Sequence, residues 1–198
     1  ASHVMGLIAG GSFQPDAMKY SDIVYGSTHK TFFGPQGGII LTTDSELFNE
    51  IENNTIFRTM DNINLSRIAS LSIAVEEMLK YGNEYASAVV KNTAKLIAEL
   101  HNQDFKIAPG SEHSKSHQIL LDQEFLGRKN YNFHSFSEEL ERHGVIIDRF
   151  GRIGTQEITR NSINDMHKIA SILSGLYNKL NRADEIKEII DKKSLKYW

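Results

Sequence analysis

The chain has 198 residues, 40% of them hydrophobic, and 22 basic against 25 acidic side chains for a net charge of −3. That composition supports a packed core and gives no electrostatic footprint for nucleic acid. No apolar run approaches the roughly 20 residues that span a bilayer, and the absence of cysteine excludes disulfides and thiolate metal sites. With no signal-like start, a cytoplasmic protein is expected.

Residues 4–9 form a short apolar run ended by Gly10-Gly11, which predicts a buried strand leading into a loop. Residues 21–25 predict a second strand and 38–42 a third, rich in β-branched side chains. Three strands buried on both faces suit the core of a mixed α/β sheet, with a ligand-binding loop between the second and third. A helix is expected from Ser45, with Leu47, Phe48 and Ile51 on its apolar face. A longer helical period runs from about Asn64, breaks at Gly82 and resumes to about His101. Residues 105–107 and 118–121 then read as strands around the loop 109–116. A helix over 135–143 ends at Gly144, short strands follow at 145–147 and 151–153, and amphipathic helices at 164–180 and 184–193 close the chain. This second part is α+β.

The segment Ser27-Thr28-His29-Lys30-Thr31-Phe32-Phe33-Gly34-Pro35-Gln36-Gly37-Gly38 concentrates the chemistry. Lysine forms a Schiff base with an aldehyde once its surroundings favour the neutral amine. The neighbours of Lys30 are hydroxyl residues, a histidine and two phenylalanines rather than charges, although most lysines are solvated surface groups. His29 can donate, accept or carry a proton near neutral pH, or simply hold a loop by a backbone hydrogen bond. Ser27 and Thr28 offer hydroxyls to a phosphate or a substrate. His3, at the start of the first apolar run, reads as a core histidine on composition alone. Arg152 offers a planar fork that fits a carboxylate, against the alternative of a structural arginine on a strand. The other histidines show no two-ligand helical spacing, so no metal site is expected.

Three ordered segments resemble the serine hydroxymethyltransferase family. They are the lysine segment 27–38, the opening Ser2-His3-Val4-Met5-Gly6-Leu7-Ile8-Ala9-Gly10-Gly11, and Arg152-Ile153-Gly154-Thr155-Gln156-Glu157-Ile158-Thr159-Arg160. The Gly-Pro-Gln-Gly-Gly and Gly-Thr-Gln-Glu versions look closer to archaeal members. The resemblance implies an α/β fold, part of a fold-type I, aspartate aminotransferase-like pyridoxal-phosphate transferase. The cofactor domain would take residues 1–80, and a small α+β domain 81–198. It further implies that Lys30 holds pyridoxal 5'-phosphate, with His29 as its catalytic neighbour and His3, Ser27 and Thr28 as cofactor contacts. Arg152 would bind the substrate carboxylate. The implied reaction converts serine and a reduced tetrahydropterin to glycine and the methylene-pterin, in a homodimer.

Chains of that family are about twice this length, and Ala1 matches the position after the aspartate that pairs with the pyridine nitrogen. The expectation is therefore a carboxyl-terminal half, inactive alone. One stretch departs from the family pattern. A proline-glycine turn that reaches the partner subunit's cofactor phosphate is replaced, after Phe57, by Arg58-Thr59-Met60-Asp61-Asn62-Ile63-Asn64, with Arg58 as a candidate charge for the phosphate. Two alternatives follow: an aldolase or transaldolase acting on β-hydroxy amino acids, and a non-catalytic homologue kept for subunit contacts.

Overall fold

The computed structural model describes residues 1–56, 58–60 and 62–194. These divide into two units, Ala1–Ser87 and a second that begins at Ala88.

In the first unit the opening apolar run is a helix, α1 (Met5–Ala9), not the expected strand. Short apolar runs do not reveal their period, and close packing decides here. A Cβ on Gly6 would collide with the Thr31 carbonyl, and one on Gly10 with the carbonyl of Gly82. The strands β1 (Val24–His29) and β2 (Phe33–Leu41) form an antiparallel hairpin. The stretch read as a loop between separate strands is thus mostly strand, and only Lys30, Thr31 and Phe32 turn. The hairpin alternates in burial, with Val24, Gly26 and Thr28 buried and Tyr25 and His29 exposed. It is one-sided rather than buried on both faces.

The register breaks between Ser27, opposite Gly38, and His29, opposite Phe33. β1 advances two residues there while β2 advances five, so residues 34–37 bulge. A bulge tolerates Pro35, which has no N–H for the ladder. α2 (Ser45–Thr55) starts where expected, and its cap is Asp44, whose Oδ1 accepts the Glu46 and Leu47 N–H groups at 2.8 and 3.0 Å. α3 (Leu65–Asn102) runs unbroken for 38 residues. Gly82 does not interrupt it, and it is the missing side chain of Gly10 that lets the end of α1 approach the Gly82 carbonyl.

Among the described residues the second unit contains the carboxyl-terminal part of α3, the antiparallel pair β3 (Gln118–Leu120) and β4 (Arg152–Gly154), a 3-10 turn at Ser111–His113 and five further α-helices. These are α4 (Gln123–Gly127), α5 (Phe133–Arg142), α6 (Gln156–Arg160), α7 (Met166–Tyr177) and α8 (Ala183–Asp191). The expected ends of α5, α7 and α8 agree to within a few residues, and Gly144 takes φ +80° just past α5. Residues 105–107 contribute only a bridge, Ile107 to Leu121. Residues 145–147 form no strand, and Ile146 is 84% exposed. The core joins Leu96, Leu100, Phe105, Ile119, Phe136 and Leu176. In it, the Phe125 and Tyr177 rings stack at 4.5 Å and Phe105 meets both edge-on.

Candidate active site

Lys30 stands in the hairpin turn, a place where a lysine is ordinarily solvated. Here it is half-buried, and its Nζ lies 3.2 Å from His3 Nε2. No carboxylate neutralises it among the described residues. The two residues are brought together by Thr31, which is fully buried. The Gly6 N–H donates to Thr31 Oγ1 at 3.0 Å, and Oγ1 donates to the His3 carbonyl at 2.8 Å. One hydroxyl therefore ties the lysine turn to the start of α1.

His29 does not bond to Lys30. Its Nδ1 sits 3.1 Å from both the N–H and the carbonyl of Gly37. Either tautomer is served, because unprotonated Nδ1 accepts from the N–H and protonated Nδ1 donates to the carbonyl. Thr28 points inward, and its Oγ1 donates to the Pro35 carbonyl at 2.6 Å, so its proton is committed to the bulge. Ser27 lies on the other face of β1. It lines a cavity of about 640 Å³ with Gly26, Gly38 and Arg67, within the size range of small-molecule sites. The Arg67 guanidinium lies across Gly37, where a Cβ would press on it. Arg58 donates to Asn54 Oδ1 at 2.7 Å on the surface. Of the departing stretch 57–64, Phe57 and Asp61 lie outside the described residues.

Arg152 belongs to the second unit, on β4 opposite Leu120. The strand is pinned at its far end by Thr155, whose N–H donates to the His117 carbonyl at 2.9 Å and whose Oγ1 meets Thr93 Oγ1 at 2.7 Å. Arg152 Nη2 donates to Asp148 Oδ2 at 2.5 Å, and its Nε is buried without a hydrogen-bond partner among the described residues. The guanidinium holds the Asp148 carboxyl below its ordinary range, and Asp148 raises Arg152 in turn. Sequence reasoning missed Thr31, Arg67 and Asp148. Only Asp148 carried a signal, its spacing of four from Arg152 across Gly151.

A family model described as serine hydroxymethyltransferase matches residues 1–147. The serine hydroxymethyltransferase of Methanothermobacter marburgensis is 38% identical over 192 residues, covering 87% of this chain and 44% of that protein. The one from Korarchaeum cryptofilum is 41% identical over 152 residues, covering 75% and 34%. Among solved structures, the L-threonine transaldolase of Pseudomonas fluorescens superposes with a TM-score of 0.82 at 26% identity, over 99% of this chain and 49% of that one. The chain spans about half the length of the curated relatives it matches. A match that starts at Ala1, takes in the Lys30 turn and runs past α5, on a fold-type I backbone, leaves one assignment: the chain belongs to the serine hydroxymethyltransferase family.

Proposed function

We propose that this chain supplies the lysine turn and the carboxylate clamp of a pyridoxal-phosphate enzyme that interconverts serine and glycine with a reduced pterin. The observation that carries the reading is the Lys30 amine, held 3.2 Å from the His3 imidazole in a segment the family model matches. When bound, pyridoxal phosphate acts as an electron sink for the bond that breaks at the substrate Cα.

Each residue has a role that follows from its surroundings. Lys30 Nζ anchors the cofactor aldehyde, and His3 Nε2, 3.2 Å away, fixes where that amine stands. His29, with Nδ1 served by Gly37 in either tautomer, carries a proton on its open Nε2. Ser27 and Arg67 face an anionic group in the cavity they line, and Thr28 keeps the bulge in shape. Arg152 orients the substrate by its carboxylate, which selects the Cα bond to be broken. In this reading residues 1–80 belong to the cofactor domain and 81–198 to the small domain. The active form is a cytoplasmic homodimer.

A second reading, transaldolase or aldolase action on β-hydroxy amino acids, draws on the similarity to the threonine transaldolase. It uses the same lysine and clamp without a pterin. A family-length protein containing this chain separates the two when fed serine with and without reduced pterin. Pterin-dependent release of glycine is expected; turnover of threonine alone, indifferent to pterin, would favour the second reading.

A further inference from the structure

We propose that Asp148 is a specificity-determining residue, an internal carboxylate that occupies the Arg152 clamp and that an incoming substrate carboxylate must displace. The inference rests on the reading of Arg152 as the substrate clamp. Asp148 and Arg152 close a tight turn. The Gly151 N–H donates to the Asp148 carbonyl and the Asp148 N–H to the Arg152 carbonyl, both at 3.3 Å, while Gly151 takes φ +80°. The Asp148 side chain is divided between two tasks. Its Oδ2 takes Arg152 Nη2 at 2.5 Å, and its Oδ1 takes the Phe150 N–H at 2.6 Å.

That division makes Asp148 a one-pronged partner. It cannot offer both oxygens to the guanidinium without giving up the turn, and Arg152 Nε has no hydrogen-bond partner among the described residues. A free carboxylate has no such commitment and can take two parallel N–H groups, the stronger geometry. The pair is also one-third exposed, with 34% of the Arg152 and 29% of the Asp148 side chain accessible. An exposed ion pair is weak enough to exchange. The internal carboxylate thus holds the arginine in position while the clamp is empty. It also penalises ligands that have no carboxylate able to compete, and it lowers affinity for those that do.

The test uses the isotopically labelled 198-residue chain, with acetate as the carboxylate probe and the Arg152 Nε–Hε resonance as the reporter. Asp148→Asn keeps an oxygen for the Phe150 N–H and removes the competing charge. Acetate is expected to bind at Arg152 roughly three- to fivefold more tightly in D148N than in the wild type. In the wild type itself, the Asp148 carboxyl carbon should move in step with Arg152 as acetate is added, a readout that needs no variant to fold. Acetate binding at Arg152 that leaves the Asp148 carbon unmoved, or that is no tighter in D148N, would overturn the competition while leaving the clamp intact. No acetate response at Arg152 in either protein would overturn the clamp, and the competition with it.

Discussion

The buried hydroxyl of Thr31 makes two of the few polar contacts joining residues 25 or more positions apart in the first unit, to the Gly6 N–H and the His3 carbonyl. Replacing it with valine keeps the shape but strands the buried Gly6 N–H, which costs about 1–3 kcal/mol. Thr31→Val should lower the denaturation midpoint by that amount, and Thr31→Ser should recover most of it. Both are read by denaturant titration. None of this was legible in the segment 27–38, because a hydroxyl's partner 28 residues away leaves no local pattern. Lys30, His3 and Arg152 could be singled out in the sequence because the segments that resemble the family contain them, and their roles are what that resemblance implies. What those segments did not show is that His3, rather than His29, meets the Lys30 amine, or that Asp148 already holds Arg152.

Among the elements, helices with two turns or more of periodic side chains were readable, while short apolar runs were read unevenly: those at 118–121 and 151–153 are strands and those at 4–9 and 145–147 are not. α1 was mistaken for a strand because five residues cannot display a 3.6-residue period, and its real determinants are the two glycines that let it sit close. Gly82 was read as a break in α3 for the opposite reason, since glycine is a poor helix former. The two positions should respond differently to alanine. Gly10→Ala drives a Cβ into the Gly82 backbone carbonyl and should destabilise by about 2 kcal/mol or more. Gly82→Ala meets only the Met78 side chain, which can move, and gains helix propensity; its melting temperature should change little.

The tie between α7 and α8 gives a prediction in pH. The ammonium of Lys168 on α7, at 2.6 Å, and that of Lys192 hold the Glu188 carboxyl down to about 2. Its folded value lies below the ordinary 4.5. The stabilisation is therefore complete above about pH 4.5 and is lost as the pH falls through about 2. A carboxyl-carbon titration of Glu188 should show that midpoint, and Lys168→Met should move it upward.

For the molecule as a whole, stability in the second unit rests on its aromatic cluster, where the Tyr177 hydroxyl donates to the buried Phe125 carbonyl at 2.7 Å. Tyr177→Phe should cost about 1–2 kcal/mol without loosening the stack, seen as a lower melting temperature in calorimetry with unchanged far-ultraviolet circular dichroism. The α+β character of this unit was legible from alternating helical and apolar stretches. The pairing of β3 with β4 across more than 30 residues was not, since strand partners are chosen by tertiary packing. The central claim, that the half-buried Lys30 is the cofactor anchor, is tested most directly by treating a family-length protein containing this chain with pyridoxal phosphate, reducing with borohydride and mapping the modified peptide. The account predicts one pyridoxyl group, on Lys30, and its disappearance in Lys30→Ala. Label spread over surface lysines, or none on Lys30, would contradict it.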